Sequence, residues 1–274
     1  MDITKSKILF KVENLHKSFK VNKKIFQANY NINLSIFKQE TLSIIGESGS
    51  GKSTLGQLII QLQKNNHGNV WYFPEEDLNI NLSILKPSQI KRWRPDLQII
   101  FQNSFSALNP KFKVRDIIGE GLIIHQKVSG YKDPRYHQQI IDIMQKCGLS
   151  LELMERYPAE LSGGQRQRVN IAKTLILKPK FVVCDEIVSA LDVTVQKQIL
   201  DLLNDFKTKY KVTYLFISHD LGVAQYISDR IGVMYQGQLV ELAPTQEIFQ
   251  KPIHFYTKSL LNAIPRIPYY ETQC

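Results

Sequence analysis

Gly46-Glu47-Ser48-Gly49-Ser50-Gly51-Lys52-Ser53 follows a short apolar run, Thr41-Leu42-Ser43-Ile44-Ile45, and opens a stretch of helical periodicity from Lys52 to Gln63. The spacing is G-x-x-x-x-G-K-[ST], in the strand–turn–helix setting that gives this pattern its meaning. Glycine lets the backbone come close to anionic oxygens, and a helix N-terminus offers unpaired N–H groups and the positive end of a dipole. Lys52 is then placed to reach the β- and γ-phosphates of a nucleotide, and Ser53 to hold Mg²⁺. The bland alternative is a chance Gly/Ser turn. The strand before it and the helix after it weigh against that.

Outward from this loop, the N-terminal part reads as strands, Ile8 to Val12 and Tyr30 to Phe37 with alternating Ile32, Leu34 and Ile36. A turn at Asn66-His67-Gly68 leads to a strand over Asn69–Phe73, and Leu97 to Phe101 is another. From about Ser104 to Pro158 the period turns helical, with Ile117, Ile118, Leu122, Ile140, Ile141 and Met144. Strands then alternate with helices: Phe181–Cys184, helix Val193–Phe206, strand Val212–Ile217, helix Leu221–Ile227, and strands Ile231–Met234 and Gln238–Glu241. The pattern predicts an α/β core with a mostly parallel, doubly wound sheet, an N-terminal antiparallel β part and an inserted helical part.

In doubly wound sheets the ligand lies outside the carboxyl ends of the strands. Thr41–Ile45 ends in the phosphate loop and Leu97–Phe101 ends in Gln102, a neutral oxygen donor suited to Mg²⁺ or its water. Phe181–Cys184 ends in Asp185-Glu186, and Val212–Ile217 ends in Ser218-His219-Asp220. Two adjacent carboxylates divide naturally, one on the Mg²⁺ shell and the other orienting the attacking water. Alone, such a pair is usually a solvated turn and a lone His a surface residue. Their shared placement at strand ends beside a phosphate loop points to one Mg–nucleotide site.

Leu161-Ser162-Gly163-Gly164-Gln165 precedes a helical pattern from Arg166 to Leu177. By itself it reads as an ordinary Ser N-cap with flexible glycines. With the groups above, however, the chain resembles the ATP-binding subunits of ABC transporters over essentially its whole length. Gly46–Thr54 resembles the Walker A loop, Gln102 the Q-loop, Leu161–Gln165 the signature motif and Phe181–Glu186 the Walker B strand. Ser189-Ala190-Leu191-Asp192 resembles the D-loop, His219 the switch histidine, and Phe19 the aromatic that stacks on adenine.

The resemblance implies a P-loop NTPase fold in a single ATP-binding domain over 1–274, with a helical subdomain at about 104–160 and a tail at about 244–274. It implies ATP and Mg²⁺ as cofactors, with Phe19, Gly46, Glu47, Ser48, Gly49, Ser50, Gly51, Lys52, Ser53, Thr54 and Gln102 on ATP, and Ser53, Gln102 and Asp185 on the metal. Glu186 and His219 would be catalytic. Two domains would pair head to tail, so that Ser162, Gly163, Gly164 and Gln165 of one close on the γ-phosphate held by the other, beside the D-loop Asp192. Stabilisation of charge on the transferred phosphoryl group would then exist only in the closed dimer.

Two stretches narrow the resemblance to peptide and nickel importers: Phe101-Gln102-Asn103-Ser104-Phe105-Ser106-Ala107-Leu108-Asn109-Pro110, and the tail Lys251-Pro252-Ile253-His254-Phe255-Tyr256-Thr257 with Leu261 to Pro265. The expected function is ATP-driven import of short peptides, with nickel or antimicrobial-peptide transport as alternatives. The expected partners are a sister ATPase (or a second copy), two transmembrane permeases and, indirectly, an extracytoplasmic solute-binding protein. The expected location is the cytoplasmic face of the inner membrane. The chain departs from the family pattern at Ile187, where Pro is usual, at Gln39 in place of a turn Gly, and at Asn103-Ser104 in place of Asp-Pro.

Composition agrees with this class without selecting it. The 274 residues are 43% hydrophobic, enough for a full core, and the formal charge of +10 favours acidic partners: nucleotides, nucleic acid or anionic lipid. A nucleic-acid-associated ABC ATPase is therefore the rival of another class; the single set of motifs argues against it. No apolar run reaches the roughly 20 residues needed to span a bilayer. Cys147, Cys184 and Cys274 lie far apart, which fits reduced cytosolic thiols and neither disulfides, zinc nor an iron–sulfur cluster.

Overall fold

The computed structural model describes residues 7–21, 24–102 and 107–263. The chain forms two compact units, Met1–Lys91 with Lys211–Cys274, and Arg92–Tyr210.

In the first unit, strands β1 (Ile8–Val21), β2 (Lys24–Phe37), β4 (His67–Glu75) and β5 (Leu78–Asn81) form an antiparallel sheet in the order β2-β1-β4-β5. Its first two strands are longer than their apolar alternation suggests. Register shifts between Val12 and Leu15 and between Leu15 and Lys17 break the period-two signal while pairing continues through Phe19↔Phe26 to Val21↔Lys24. Strand β5 carries only Ile80 as a buried apolar residue, too little pattern to be seen in the sequence.

The second sheet element of this unit is built on β3 (Thr41–Ile45), which runs parallel to both β8 (Thr213–Ile217) and β9 (Arg230–Tyr235), with β10 (Gln238–Pro244) antiparallel on β9. All five residues of β3 and of β8 are buried, as expected of parallel strands covered on both faces. Some of the buried polar groups are met locally: Ser43 and Ser228 share a hydroxyl–hydroxyl bond, and the Thr41 N–H donates to Asp229 at 2.7 Å, while the Thr41 hydroxyl has no hydrogen-bond partner among the described residues. Gln39 takes φ 65° in the turn before β3, the left-handed conformation for which glycine is the easy choice. Its N–H donates to Thr213 Oγ1 at 2.9 Å, which helps hold that turn.

The helix Lys52–Ile59 leaves β3 through the phosphate loop and stops earlier than Gln63. Two short helices, Thr245–Gln250 and Phe255–Asn262, bring the tail back onto the core. There Ile248 and Tyr256 pack with Ile45, Leu221, Ala224, Ile231 and Val233.

The second unit has a parallel pair, β6 (Leu97–Ile100) and β7 (Phe181–Asp185), and helices Val114–Ile124, Pro134–Lys146, Gly163–Leu175 and Val193–Tyr210. Val114, Ile117, Ile118 and Leu122 give the first helix a buried stripe at i, i+3, i+4 and i+8, and this helix packs on Gly163–Leu175. Asp133 caps the next helix through the Arg135 N–H at 2.9 Å, with Pro134 at its first position.

Candidate nucleotide site

The loop from Gly46 to Ser53 is stiffened before any ligand is considered. Gly46 and Gly51 have φ 147° and 100°, and neither accepts a side chain. A Cβ on Gly46 would collide with the Met234 carbonyl oxygen, and one on Gly51 with that of Ala28. Lys52, 4% exposed, folds back so that its ammonium donates to the carbonyls of Gly46 at 2.8 Å and Glu47 at 2.7 Å. This arrangement keeps a buried charge satisfied and turns the ammonium into the loop's concavity.

Three supports come from far along the chain and were not legible in the motif. The buried Asn29 amide donates to Gly51 O at 3.3 Å. The Gly237 N–H, in the turn between β9 and β10, donates to Ser50 O at 3.2 Å. The Tyr256 hydroxyl accepts the Glu47 N–H at 3.1 Å. Inside the loop, the buried Ser50 hydroxyl has no hydrogen-bond partner among the described residues.

His219 belongs to the same unit. β8 pairs with β3 at Ile44↔Ile217, so two residues further on the strands deliver Gly46 and His219 at the same end. His219 is exposed, and the turn that carries it is fixed. The Asp220 N–H donates to Ser218 Oγ at 2.9 Å, and Asp220 caps the helix Leu221–Ile227. Phe19, half-buried at the far end of β1, has the Lys17 ammonium 5.0 Å from its ring centroid and Phe26 opposite it on β2.

In the second unit, β6 ends before Phe101 and β7 includes Asp185. Asp185 is 7% exposed, while Glu186 turns out of the strand at φ 48°. The Gln102 amide nitrogen donates to Glu186 Oε2 at 2.8 Å, so residues 84 apart in sequence meet at the ends of neighbouring strands. Ile187 is buried, and the Ser189 hydroxyl donates to the Glu186 carbonyl at 3.0 Å, so this turn closes without a proline. Burial and the adjacent Asp185 charge push the Cys184 thiol far up, leaving it without nucleophilic character at neutral pH.

The serine–diglycine stretch begins the helix at Gly163. Ser162 and Gln165 form a reciprocal capping box, the Gln165 N–H to Ser162 Oγ at 3.2 Å and the Ser162 N–H to Gln165 Oε1 at 2.9 Å. The ordinary capping role is therefore present. Asp192 likewise caps the helix Val193–Tyr210 through the Val195 N–H at 2.9 Å.

The same unit holds a cleft of about 270 Å³ lined by Phe101, Glu120, Ile124, His125, Asn170 and Lys173, among others. Phe101 and Ile124 are 42% and 57% exposed on it.

A glycine-rich loop that leaves a fully buried parallel strand, opens a helix and folds a lysine ammonium back over itself defines a phosphate-binding nucleotide domain. Residues 30–189 match the ABC transporter family, and the chain belongs to that family of ATP-binding, ATP-hydrolysing domains. Residues 240–272 match a second family, the oligopeptide/dipeptide transporter C-terminal region.

Among relatives, the oligopeptide transport ATP-binding protein OppF of Bacillus subtilis (strain 168) is 44% identical over 94% of this chain and 82% of its own length. The dipeptide transport ATP-binding protein DppF of Lactococcus lactis subsp. cremoris (strain MG1363) is 41% identical over 96% of this chain and 83% of its own. A solved dimeric ATP-binding cassette in a post-hydrolysis state, bound to ADP and Pi, superposes with a TM-score of 0.77 at 28% identity, covering 86% of this chain and 99% of that one. The fold is the P-loop NTPase α/β fold with an antiparallel N-terminal sheet.

Proposed function

We propose that this chain is the ATP-hydrolysing subunit of an importer of short peptides, working with a sister ATPase and two membrane permeases supplied by other chains. The observation that carries this reading is the pairing, in one polypeptide, of a braced phosphate loop with a C-terminal region of the oligopeptide/dipeptide transporter type. Nickel transport and nucleic-acid handling draw no such support from the relatives named above.

Lys52 and the loop amides beyond Glu47, up to Thr54, hold the β- and γ-phosphates, and the Ser50 hydroxyl is a buried donor that a phosphate oxygen satisfies. Phe19 offers a ring face to adenine. Mg²⁺ prefers hard oxygen donors and keeps several waters, so Ser53, Asp185 and the Gln102 amide oxygen suit it better than any cluster of nitrogen or sulfur ligands. When bound, it neutralises charge between the β- and γ-phosphates.

Glu186 orients the attacking water and takes its proton as oxygen adds to the γ-phosphorus and the bond to the bridging oxygen breaks. His219 donates to a γ-phosphate oxygen. This chain's Ser162–Gly164 turn, beside Asp192, completes the charge stabilisation at the partner ATPase's nucleotide when the two close, and the partner's corresponding turn does the same here. Closing on ATP and opening after hydrolysis is the motion passed to the permeases. Their cytoplasmic segments dock in the cleft of the second unit, whose exposed Phe101 and Ile124 side chains and Lys173–Glu120 pair at 3.5 Å suit a short amphipathic helix. No helix among the described residues is long and apolar enough to cross a membrane; on this reading the chain works at the cytoplasmic face, beneath permeases supplied by other chains.

The test is Glu186→Gln in the full chain. We expect ATPase activity to fall by at least 100-fold while ATP still binds and an ATP-dependent dimer accumulates on size-exclusion chromatography. Near-normal turnover would remove Glu186 from the chemistry. Cells carrying Lys52→Ala should also lose uptake of a labelled tripeptide, and undiminished uptake would refute the assignment to peptide import.

A further inference from the structure

The tail's contact with the phosphate loop has no place in the hydrolytic scheme above. Tyr256 is 6% exposed, and its ring stacks on Tyr235 with centroids 4.2 Å apart and planes inclined at 30°. Its hydroxyl accepts the Glu47 N–H at 3.1 Å. The Glu47 carbonyl is one of the two oxygens that receive the Lys52 ammonium. One peptide unit upstream, the Gly46 carbonyl takes the other Lys52 bond. The tyrosine and the lysine thus grip the same short stretch from opposite sides.

The tyrosine is itself held by a small framework. Both oxygens of the Glu241 carboxylate on β10 accept backbone N–H groups, Ile253 at 2.8 Å and His254 at 3.0 Å. His254 Nδ1 accepts the Tyr256 N–H at 3.2 Å and so caps the helix that carries it. Against the cost of its burial, the Thr257 side chain and those two amide bonds hold the Glu241 carboxyl below its ordinary range. The chain from Glu241 through His254 to Tyr256 and Glu47 is continuous.

We propose that Tyr256 is a positioning residue for nucleotide binding: the C-terminal region braces the first turn of the phosphate loop through its hydroxyl and so sets how tightly ATP is held. This rests on the reading of residues 46–53 as the phosphate loop. Tyr256 touches no substrate. It acts through the Glu47 amide and the carbonyls that orient Lys52. A net hydrogen bond of ordinary strength corresponds to about a five-fold change in an equilibrium constant.

The experiment compares wild type, Tyr256→Phe, Glu241→Ala and Phe255→Ala as full-length proteins. Hydrogen–deuterium exchange is followed in the peptide covering residues 46–51, and the Kd of a fluorescent ATP analogue is measured alongside the melting temperature. Tyr256→Phe keeps the ring and removes only the acceptor. It should speed exchange in that peptide and raise Kd about five-fold. Glu241→Ala, which frees the tail without touching the loop, should move both in the same direction. Phe255→Ala, an exposed neighbour, should move neither.

Unchanged exchange and Kd in Tyr256→Phe would overturn the proposal. So would a lower melting temperature with an unchanged Kd, which assigns Tyr256 to stability alone. If Tyr256→Phe fails to fold, Glu241→Ala decides, and wild-type Kd there is equally fatal. A wild-type protein that binds no ATP analogue refutes the phosphate-loop reading instead, while the exchange comparison still judges the brace.

Discussion

Glu40 lies in the turn that leads into β3, and its carboxyl group is a sharp test of how this unit depends on pH. It is 7% exposed, and the Phe37 N–H donates to its Oε1 at 2.6 Å. Arg230 stands 3.4 Å and 3.5 Å from its two oxygens, but that guanidinium also donates to Ser35 O at 3.1 Å and covers the Phe37 ring. Desolvation outweighs these contacts, and nearby Asp229 adds repulsion, so the carboxyl is pushed from 4.5 up to about 7.

For an acid raised on folding, the native state holds its proton longer than the unfolded chain does. Stability therefore falls as pH rises from the unfolded value near 4.5 through the folded value near 7. At 1.36 kcal/mol per unit, the full shift amounts to about 3 kcal/mol, of which about 2–3 kcal/mol is lost between about pH 5 and 8. Glu40→Gln keeps the acceptor for the Phe37 N–H and removes the titration. Urea unfolding followed by far-UV circular dichroism, for both proteins across that range, should show the variant gaining about 2–3 kcal/mol on wild type as pH rises. Other titrations cancel in the difference. Two curves that stay parallel from pH 5 to 8 would refute the reasoning.

Gly51→Ala forces a side chain at φ 100° into the Ala28 carbonyl, so it should cost about 2–4 kcal/mol in unfolding free energy and weaken ATP binding by at least ten-fold, read by denaturation and by fluorescent-nucleotide titration. Ser162→Ala removes half of the capping box and should destabilise by about 1 kcal/mol, measured by urea unfolding at fixed pH. Burial pushes the Cys147 thiol up to about 12 and Cys184 higher still, so neither should react with a disulfide reagent until the chain unfolds, as judged by mass mapping of the modified peptides.

The elements that follow local rules were readable in the sequence. Gly46 to Ser53 shows its loop through residue identity alone, and the short, largely apolar runs of β3, β7 and β8 mark buried parallel strands. Ser162 and Gln165 announce their capping box by spacing. What was hidden depends on partners distant in the chain. Tyr256 looks like part of an ordinary helix start until β9, β10 and the phosphate loop are folded around it. Glu40 sits in Lys38-Gln39-Glu40-Thr41, which reads as a solvated turn, because nothing local reveals that Arg230 and Phe37 will enclose it. The Gln102–Glu186 bond was anticipated only as two groups at strand ends, and β5 left too few apolar residues to register.

The order of strands across the first unit also bears on how the protein is made. β3 leaves the ribosome early, yet both of its neighbours, β8 and β9, are encoded after residue 212. At about 5–20 residues per second, this strand, buried along its whole length in the fold, waits roughly 10–30 s for its mates. Through that interval the nascent chain carries a sticky, unpaired segment, so its yield in a cell will be governed by whatever shelters Thr41–Ile45 during translation.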